Sequence, residues 1–200
     1  MATLPVYVTA AVEGDIDEAV LRRVAHGVGI EILRTHGKKG KAYLRKNLAA
    51  FNHAATHGTW VVLMDLDLDA PCAPEFLKSI PEPAANLRLR LAIREVEAWL
   101  IADSEELARF LAVSESIIPR DPENVLDPKA QIVSLAARSR QRAIREDMIP
   151  SPGSKRVVGR AYTSRMIEYA TRYWRPDVAV QHSDSLLRCV KRLREMAGKT

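Results

Sequence analysis

The chain has 200 residues, 30 of them Lys or Arg and 25 Asp or Glu, for a formal net charge of +5. That length buries a full core, as one domain or one domain with an appended lobe, while no run approaches the ~18–20 apolar residues of a membrane helix and two cysteines, Cys72 and Cys189, are too few for a disulfide framework. A transmembrane helix and a small disulfide-stapled secreted domain are thereby excluded, and a reducing cytoplasm is the expected location.

Residues 4–12, LPVYVTAAV, read as a buried strand ending at Glu13-Gly14; this apolar start carries no basic leader and is a strand rather than a signal peptide. Asp15 or Asp17 caps the following helix, EAVLRRVAHGV, with Gly27 and Gly29 near its stop. Residues 30–34, IEILR, form a short second strand and THGKKGK a loop. AYLRKNLAAFNHAA has apolar residues at helical spacing and closes at HGT. WVVLMDLDLD is the third strand. A short helix spans 73–80, bounded by Pro81 and Pro83, and LRLRLAI alternates as a fourth strand. EVEAWLIADSEELARFLAV reads as one helical stretch. The β-α alternation to residue 113 predicts an α/β domain with a mostly parallel sheet covered by helices. Residues 114–128, with Pro119, Pro122 and Pro128, lead into a helical C-terminal extension, 114–200. It contains the helical stretch PKAQIVSLAARSRQRAIRED, the loop IPSPGSKRVVGR, and helices in RAYTSRMIEYATRYW and SDSLLRCVKRLREM.

The chemistry concentrates at strand ends. In VVLMDLDLD an apolar run pins Asp65, Asp67 and Asp69 to the tip of the third strand. They share one face if the strand persists; an end near Asp67, with Asp69 opening the loop, leaves them at the same tip. Open parallel sheets place ligands at the C-terminal ends of their strands. Glu13 occupies the matching tip of strand one, so neighbouring strands one and three would gather these acids in one crevice. Unpaired carboxylates so close raise one another's pKa, and a hard divalent cation, Mg²⁺ or Mn²⁺, removes that cost with oxygen ligands. A bare Asp-x-Asp is otherwise a turn or a helix cap.

The two motifs, VEGDIDEAVLRR and MDLDLD, resemble the topoisomerase–primase (Toprim) fold. The resemblance implies a glutamate, here Glu13, for acid–base chemistry or metal binding, and an Asp pair, here Asp65 and Asp67, holding Mg²⁺. The spacing from Glu13 to Glu18 is similar to that of OLD-type nucleases, in which a second helix acid assists; Glu18 matches by position, with Asp17 equally placed by charge. LAIREVEAWLIAD, DPENVLDPK, GRAYTSRMIEYA and SDSLLRCVKRL extend the likeness to a bacterial Toprim-related family of unknown function, often encoded beside ATPases. Lacking a topoisomerase's tyrosine domain and a primase's zinc module, the chain is expected to be a Mg²⁺-dependent nuclease on DNA or RNA. The rivals are a non-catalytic Toprim-like module that docks on a partner ATPase, and a metal-free structural subunit. A homo-oligomer is compatible with either.

Further acids and cations complete the candidate site. Glu95 and Glu97 share a face if strand four reaches them, and diverge by ~200° if a helix starts at Arg94; Glu97 and Asp69 then join the metal candidates, or Glu95 and Glu97 serve as first-turn acids on a helix dipole. Lys38, Lys39 and Lys41 in GKKGK lack P-loop spacing but suit phosphate contacts beside a helix start. Residues 1–137 carry 15 basic and 19 acidic groups, and 138–200 carry 15 and 6. That surplus, with Lys155, Arg156 and Arg160 in the loop and Arg138, Arg140, Arg142 and Arg145 upstream, fits a nucleic-acid backbone or a solvated surface. Tyr162, Tyr169, Tyr173 and Trp174 read as packing residues and Ser183 as a helix cap. His53 and His57 are the nearest approach to a zinc pair.

Overall fold

The computed structural model describes residues 5–70, 72–80 and 82–198; Leu4 of the predicted first strand, Pro71 after the aspartates and the helix boundary Pro81 lie outside the described residues. The chain runs β1 (Val6–Val12), α1 (Asp15–Gly27), β2 (Ile30–Gly37), α2 (Lys41–Ala54), β3 (Trp60–Asp65), α3 (Ala73–Lys78) and β4 (Leu87–Ala92). The strands pair in the order β2-β1-β3-β4, and every pairing is parallel. The fold is therefore α/β, a parallel sheet flanked by helices, as the alternation predicted. Helices α4 (Val96–Ile101), α5 (Ser104–Leu111), α6 (Pro128–Ala137), α7 (Arg142–Met148), α8 (Tyr162–Arg172), α9 (Pro176–Ala179) and α10 (Asp184–Met196) follow, with 3₁₀ turns at Glu115–Ile117 and Pro122–Asn124.

A sheet covered on both faces needs apolar residues at consecutive strand positions, and β3 supplies them. Val61 and Leu63 enter a core shared with α1, α4 and the later helices; Val62 and Met64 enter a second core with Leu44, Leu48 and Phe51 of α2 and Phe76 of α3. The helices after residue 113 belong to the first core. Trp174 donates from Nε1 to the Trp99 carbonyl at 3.1 Å, and the Tyr169 hydroxyl donates to the Leu100 carbonyl at 3.3 Å. Tyr162, Tyr169 and Trp174 are buried, whereas Tyr173 is exposed.

Several boundaries differ from expectation for local reasons. β2 continues through residues 35–37 because its parallel pairing with β1 persists to Val12 opposite Gly37. Gly37 has φ +93°, and a Cβ there would stand 2.2 Å from the Val12 carbonyl oxygen, so only glycine fits the close approach. β3 stops at Asp65, short of Asp67, whose φ of 49° leaves the extended region. Helix α1 starts earlier than expected, with Gly14 as its cap, so Asp15 and Asp17 lie inside the first turn. The stretch 95–113 is two helices, because Asp103 accepts from the Glu106 amide and starts a new one. The stretch 128–147 also divides, at 138–141, where the Ser139 hydroxyl accepts from the Gln141 amide. The short α9 was not foreseen.

Candidate functional site

Strands β1 and β3 are parallel neighbours, so their tips lie at one edge of the sheet. The Glu13 side chain crosses from one tip to the other, its Oε1 accepting from the Asp65 amide at 2.9 Å. Asp65 Oδ1 accepts from the Val96 amide, the first of α4, at 3.0 Å, a favourable place for a carboxylate at a helix start. Asp65 therefore belongs with α1 and α4, on the side of Val61 and Leu63. Glu97, in the first turn of α4, is 2 % exposed and receives the Tyr162 hydroxyl at 3.4 Å. Lys129 at the start of α6 stands 3.6 Å from Glu97 and 3.0 Å from Glu95. Asp17, in the first turn of α1, is 6 % exposed, and its Oδ1 is buried without a hydrogen-bond partner.

Burial and mutual repulsion raise the pKa of these acids. Asp17 is pushed up to about 7, by burial first and then by Glu97 and Glu13. Asp65 lies well above the carboxylate range, from burial and then from Asp17, Glu97, Glu13 and Asp67. Burial also raises Glu97 against the pull of Lys129, and raises Glu13 against the Asp65 amide and Lys41. For Lys129, burial acts downward but the Glu97 and Glu95 charges outweigh it, and its pKa rises.

A second tier of acids is already paired with lysines. Lys41 contacts Asp67 at 2.7 Å and Asp69 at 2.6 Å and donates to the Leu66 carbonyl. Asp65 and Asp67 consequently do not share a face: the left-handed turn at Asp67 sends one carboxylate inward and the other to Lys41. Glu18 stands apart from the buried acids, held by Arg22 at 2.8 Å and Lys38 at 2.9 Å, and its pKa drops to about 2: burial opposes the fall, and bonds from Lys38, Thr35 and Arg22 overcome it. Lys38 also meets Asp15 at 3.2 Å, and Lys39 lies over the Tyr43 ring. The GKKGK loop is fastened to strand one by bonds from the Lys38 amide to the Val12 carbonyl and from the Gly40 amide to the Glu13 carbonyl.

Lys155, Arg156 and Arg160 are exposed on the loop between α7 and α8. Arg156 and Arg160 line a hollow of about 640 Å³ with residues 150–154. Gly159 seats this loop on the end of α7, where a Cβ would meet the Asp147 carbonyl oxygen at 2.2 Å. Tyr162, three residues on, reaches Glu97, so the basic loop leads directly into the acidic cluster. The arginines upstream are partly occupied: Arg140 and Arg145 donate to backbone carbonyls and Arg142 pairs with Glu146. His53 and His57 meet edge to face, with centroids 6.1 Å apart.

The structure thus brings Glu13, Asp65 and Glu97 together, adds Asp17, and leaves Glu18, Asp67 and Asp69 with lysine or arginine partners. Lys129 and Tyr162 were missed as site residues. Their signals were present in DPK and GRAY, but a lysine just inside a helix and a tyrosine at helical spacing look like ordinary surface and packing residues. Among the described residues, no three Asp, Glu, His or Cys side chains converge, as they stand, into a group able to hold a metal ion. The buried acids nevertheless suit a hard cation chemically: every donor is oxygen, Lys129 offsets the repulsion only in part, and Asp17 Oδ1 is bare. Comparison with protein-family models, curated proteins and solved structures yields no significant match.

Proposed function

We propose that this chain is a Mg²⁺- or Mn²⁺-dependent phosphodiesterase acting on DNA or RNA, with Glu13, Asp17, Asp65 and Glu97 as the acids that would hold the cation. The observation that carries the reading is Asp17: a carboxylate 6 % exposed, one oxygen without a partner, among three other acids at the ligand-binding edge of a parallel sheet. The Toprim-like motifs at Glu13 and at Asp65-Leu66-Asp67 support it independently. A bound cation would supply positive charge to a phosphate oxygen and acidify a water.

The chain's own groups have separable tasks. Glu13, raised in pKa but open on its second oxygen, is placed to take a proton from an attacking water. Lys155, Arg156 and Arg160, exposed and without an ion pair among the described residues, offer cations to the phosphates of a strand. Lys38 and Lys41 reach substrate only by exchanging carboxylate partners for phosphate, which ties substrate binding to the arrangement of Asp67 and Asp69. Tyr162 and Lys129 hold Glu97 in position.

One observation favours a second reading. Lys129 on Glu95 and Glu97, with Lys41 on Asp67 and Asp69, already supplies internal counter-charge. A non-catalytic module that binds nucleotide or nucleic acid and docks on an ATPase partner would need no more. Plasmid and RNA cleavage, assayed with Mg²⁺, Mn²⁺ or EDTA beside thermal melting, decides between them. Metal-dependent cleavage lost in Asp65→Asn supports the nuclease. Metal-dependent thermal stabilisation without cleavage selects the binding module. The absence of both overturns the metal site.

A further inference from the structure

Beyond Asp67, between the tips of β3 and β4 and the start of α10, lies a cleft of about 490 Å³. Leu66, Leu91 and Ile93 give it apolar walls, and Arg90, Arg94 and Arg188 give it cations. Three acids also face it, and each already has a partner. Asp67 pairs with Lys41 at 2.7 Å, Asp184 with Arg188 at 2.7 Å, and Glu123 accepts the Ser183 and Ser185 hydroxyls, both at 2.6 Å. That leaves Arg90 and Arg94, neither of which forms an ion pair among the described residues. Arg94 Nη1 donates to the Asp67 carbonyl at 3.2 Å, while its Nε is buried with no partner. Arg90 is half-buried, and burial lowers its pKa.

The backbone places Arg94 at a cost. Arg94 has φ 64° and Asp67 has φ 49°, and the two are joined by the Asp67 amide donating to the Arg94 carbonyl at 2.8 Å. Two adjoining non-glycine residues in the left-handed region are uncommon, and such strain persists where a side chain must be held in place. Two guanidinium groups without carboxylates, one with a bare buried N–H, form a receptor for a planar or tetrahedral oxyanion. The volume and apolar walls suit a ligand the size of one nucleotide.

We propose that this cleft binds the phosphate of a nucleotide-sized phosphate ester through Arg90 and Arg94, as a site separate from the buried acids. The ester is a free mononucleotide or the end of a strand, and the same chemistry serves both. The inference stands without the metal reading and is tested in EDTA.

Cys72 lines this cleft and is exposed, whereas Cys189 is buried and its thiol is pushed up to about 12, so Cys72 is a local reporter against a silent reference. Its rate of reaction with a chromogenic aryl disulfide is measured with AMP, inorganic phosphate, or a 5′-phosphorylated trinucleotide. Saturable, several-fold protection by AMP, weaker with phosphate alone, supports the site with free nucleotide as its source. Protection confined to the trinucleotide supports it with a strand end. In Arg90→Gln the half-protection concentration rises about tenfold or more, the loss expected for one charged hydrogen bond. Cys189 remaining unreactive shows that the variant is folded; should it react, Arg90→Lys takes its place, keeping the charge but not the fork. Cys72 reacting equally fast with and without every ligand overturns the proposal, and so does protection that both Arg90 variants leave unchanged.

Discussion

Asp103 and Asp17 are both buried acids at helix starts, and their surroundings are opposite. Asp103 caps α5 with no exposed surface. It receives the Glu106 amide, the Arg175 amide at 3.0 Å, and the Arg175 guanidinium through Nε at 3.0 Å and Nη2 at 2.6 Å. Asp17 has one oxygen bare, no cation bonded to it among the described residues, and Glu97 and Glu13 as neighbours. The first arrangement is what burial of a charge ordinarily demands. The second is tolerated only by holding a proton or by meeting something from outside. Asp103 fastens the C-terminal helices to the α/β core, and Asp17 keeps an unbonded carboxylate oxygen near the strand tips. A buried carboxylate therefore points to function by what it lacks.

The comparison predicts that the two acids fail in different assays. The largest effect falls on activity. Asp17→Asn and Asp65→Asn each reduce metal-dependent cleavage by about a hundredfold or more, the scale of losing one group that acts in the reaction, while thermal melting in EDTA stays at or above the parent. Next is Asp103→Ala, which removes one partner of a buried pair. Arg175 is partly exposed and can rehydrate, which sets the cost near the lower end of the range, about 3 kcal/mol. For a chain this size that lowers the melting temperature by about 6–12 °C. Cleavage per folded molecule is unchanged. An Asp17→Asn variant that melts like Asp103→Ala would erase the distinction.

A smaller effect is the pH dependence of the metal-free protein. Asp17 is raised to about 7 from an unfolded value of 3.8, so between these values the folded state binds more protons than the unfolded chain. Its contribution to stability is complete below about pH 4 and is lost as pH rises towards 7. Glu18, lowered to about 2, acts in the reverse sense and outside that window: its contribution is present above about pH 4.5 and lost only as pH falls below it. Denaturant titrations in EDTA should therefore show stability falling by about 1–2 kcal/mol from pH 5 to pH 7, and Asp17→Asn should flatten the slope. Saturating Mg²⁺ raises the melting temperature more at pH 7 than at pH 5, because the cation replaces protons.

The sheet was legible because its signals are local. Apolar runs with Gly and Pro boundaries mark each strand, and β-α alternation implies parallel pairing. Glu13 and Asp65 were legible for the same reason, each ending a buried run. What escaped was decided by tertiary contacts. Asp17 and Glu18 are adjacent on one helix, and only the positions of Thr35, Lys38 and Glu97 separate them. Lys129 and Tyr162 act through a fold-back of more than thirty residues onto α4. The division of 95–113 is the exception, a local cap in which Asp103 accepts from the Glu106 amide within a continuous helical pattern. The outward turn of Asp67 came from its left-handed backbone, which the alternating DLDLD pattern conceals.

The smallest predicted effect separates those two neighbours on α1 most sharply. Glu18 matches the motif by spacing, yet its carboxylate is taken by Lys38 and Arg22, whose side chains are 41 % and 43 % exposed. Ion pairs that are screened to this extent contribute little, so Glu18→Gln lowers the melting temperature by only a few degrees. Asp17→Asn removes the charge of the buried acid whose oxygen is unsatisfied among the described residues and should abolish the Mg²⁺-induced thermal shift, which Glu18→Gln retains. Isothermal titration of Mn²⁺ into both variants at pH 7 gives the same comparison without reference to cleavage. If Glu18→Gln loses the cation and Asp17→Asn keeps it, the lysine-paired tier is the metal site and the buried acids at Asp17 are not.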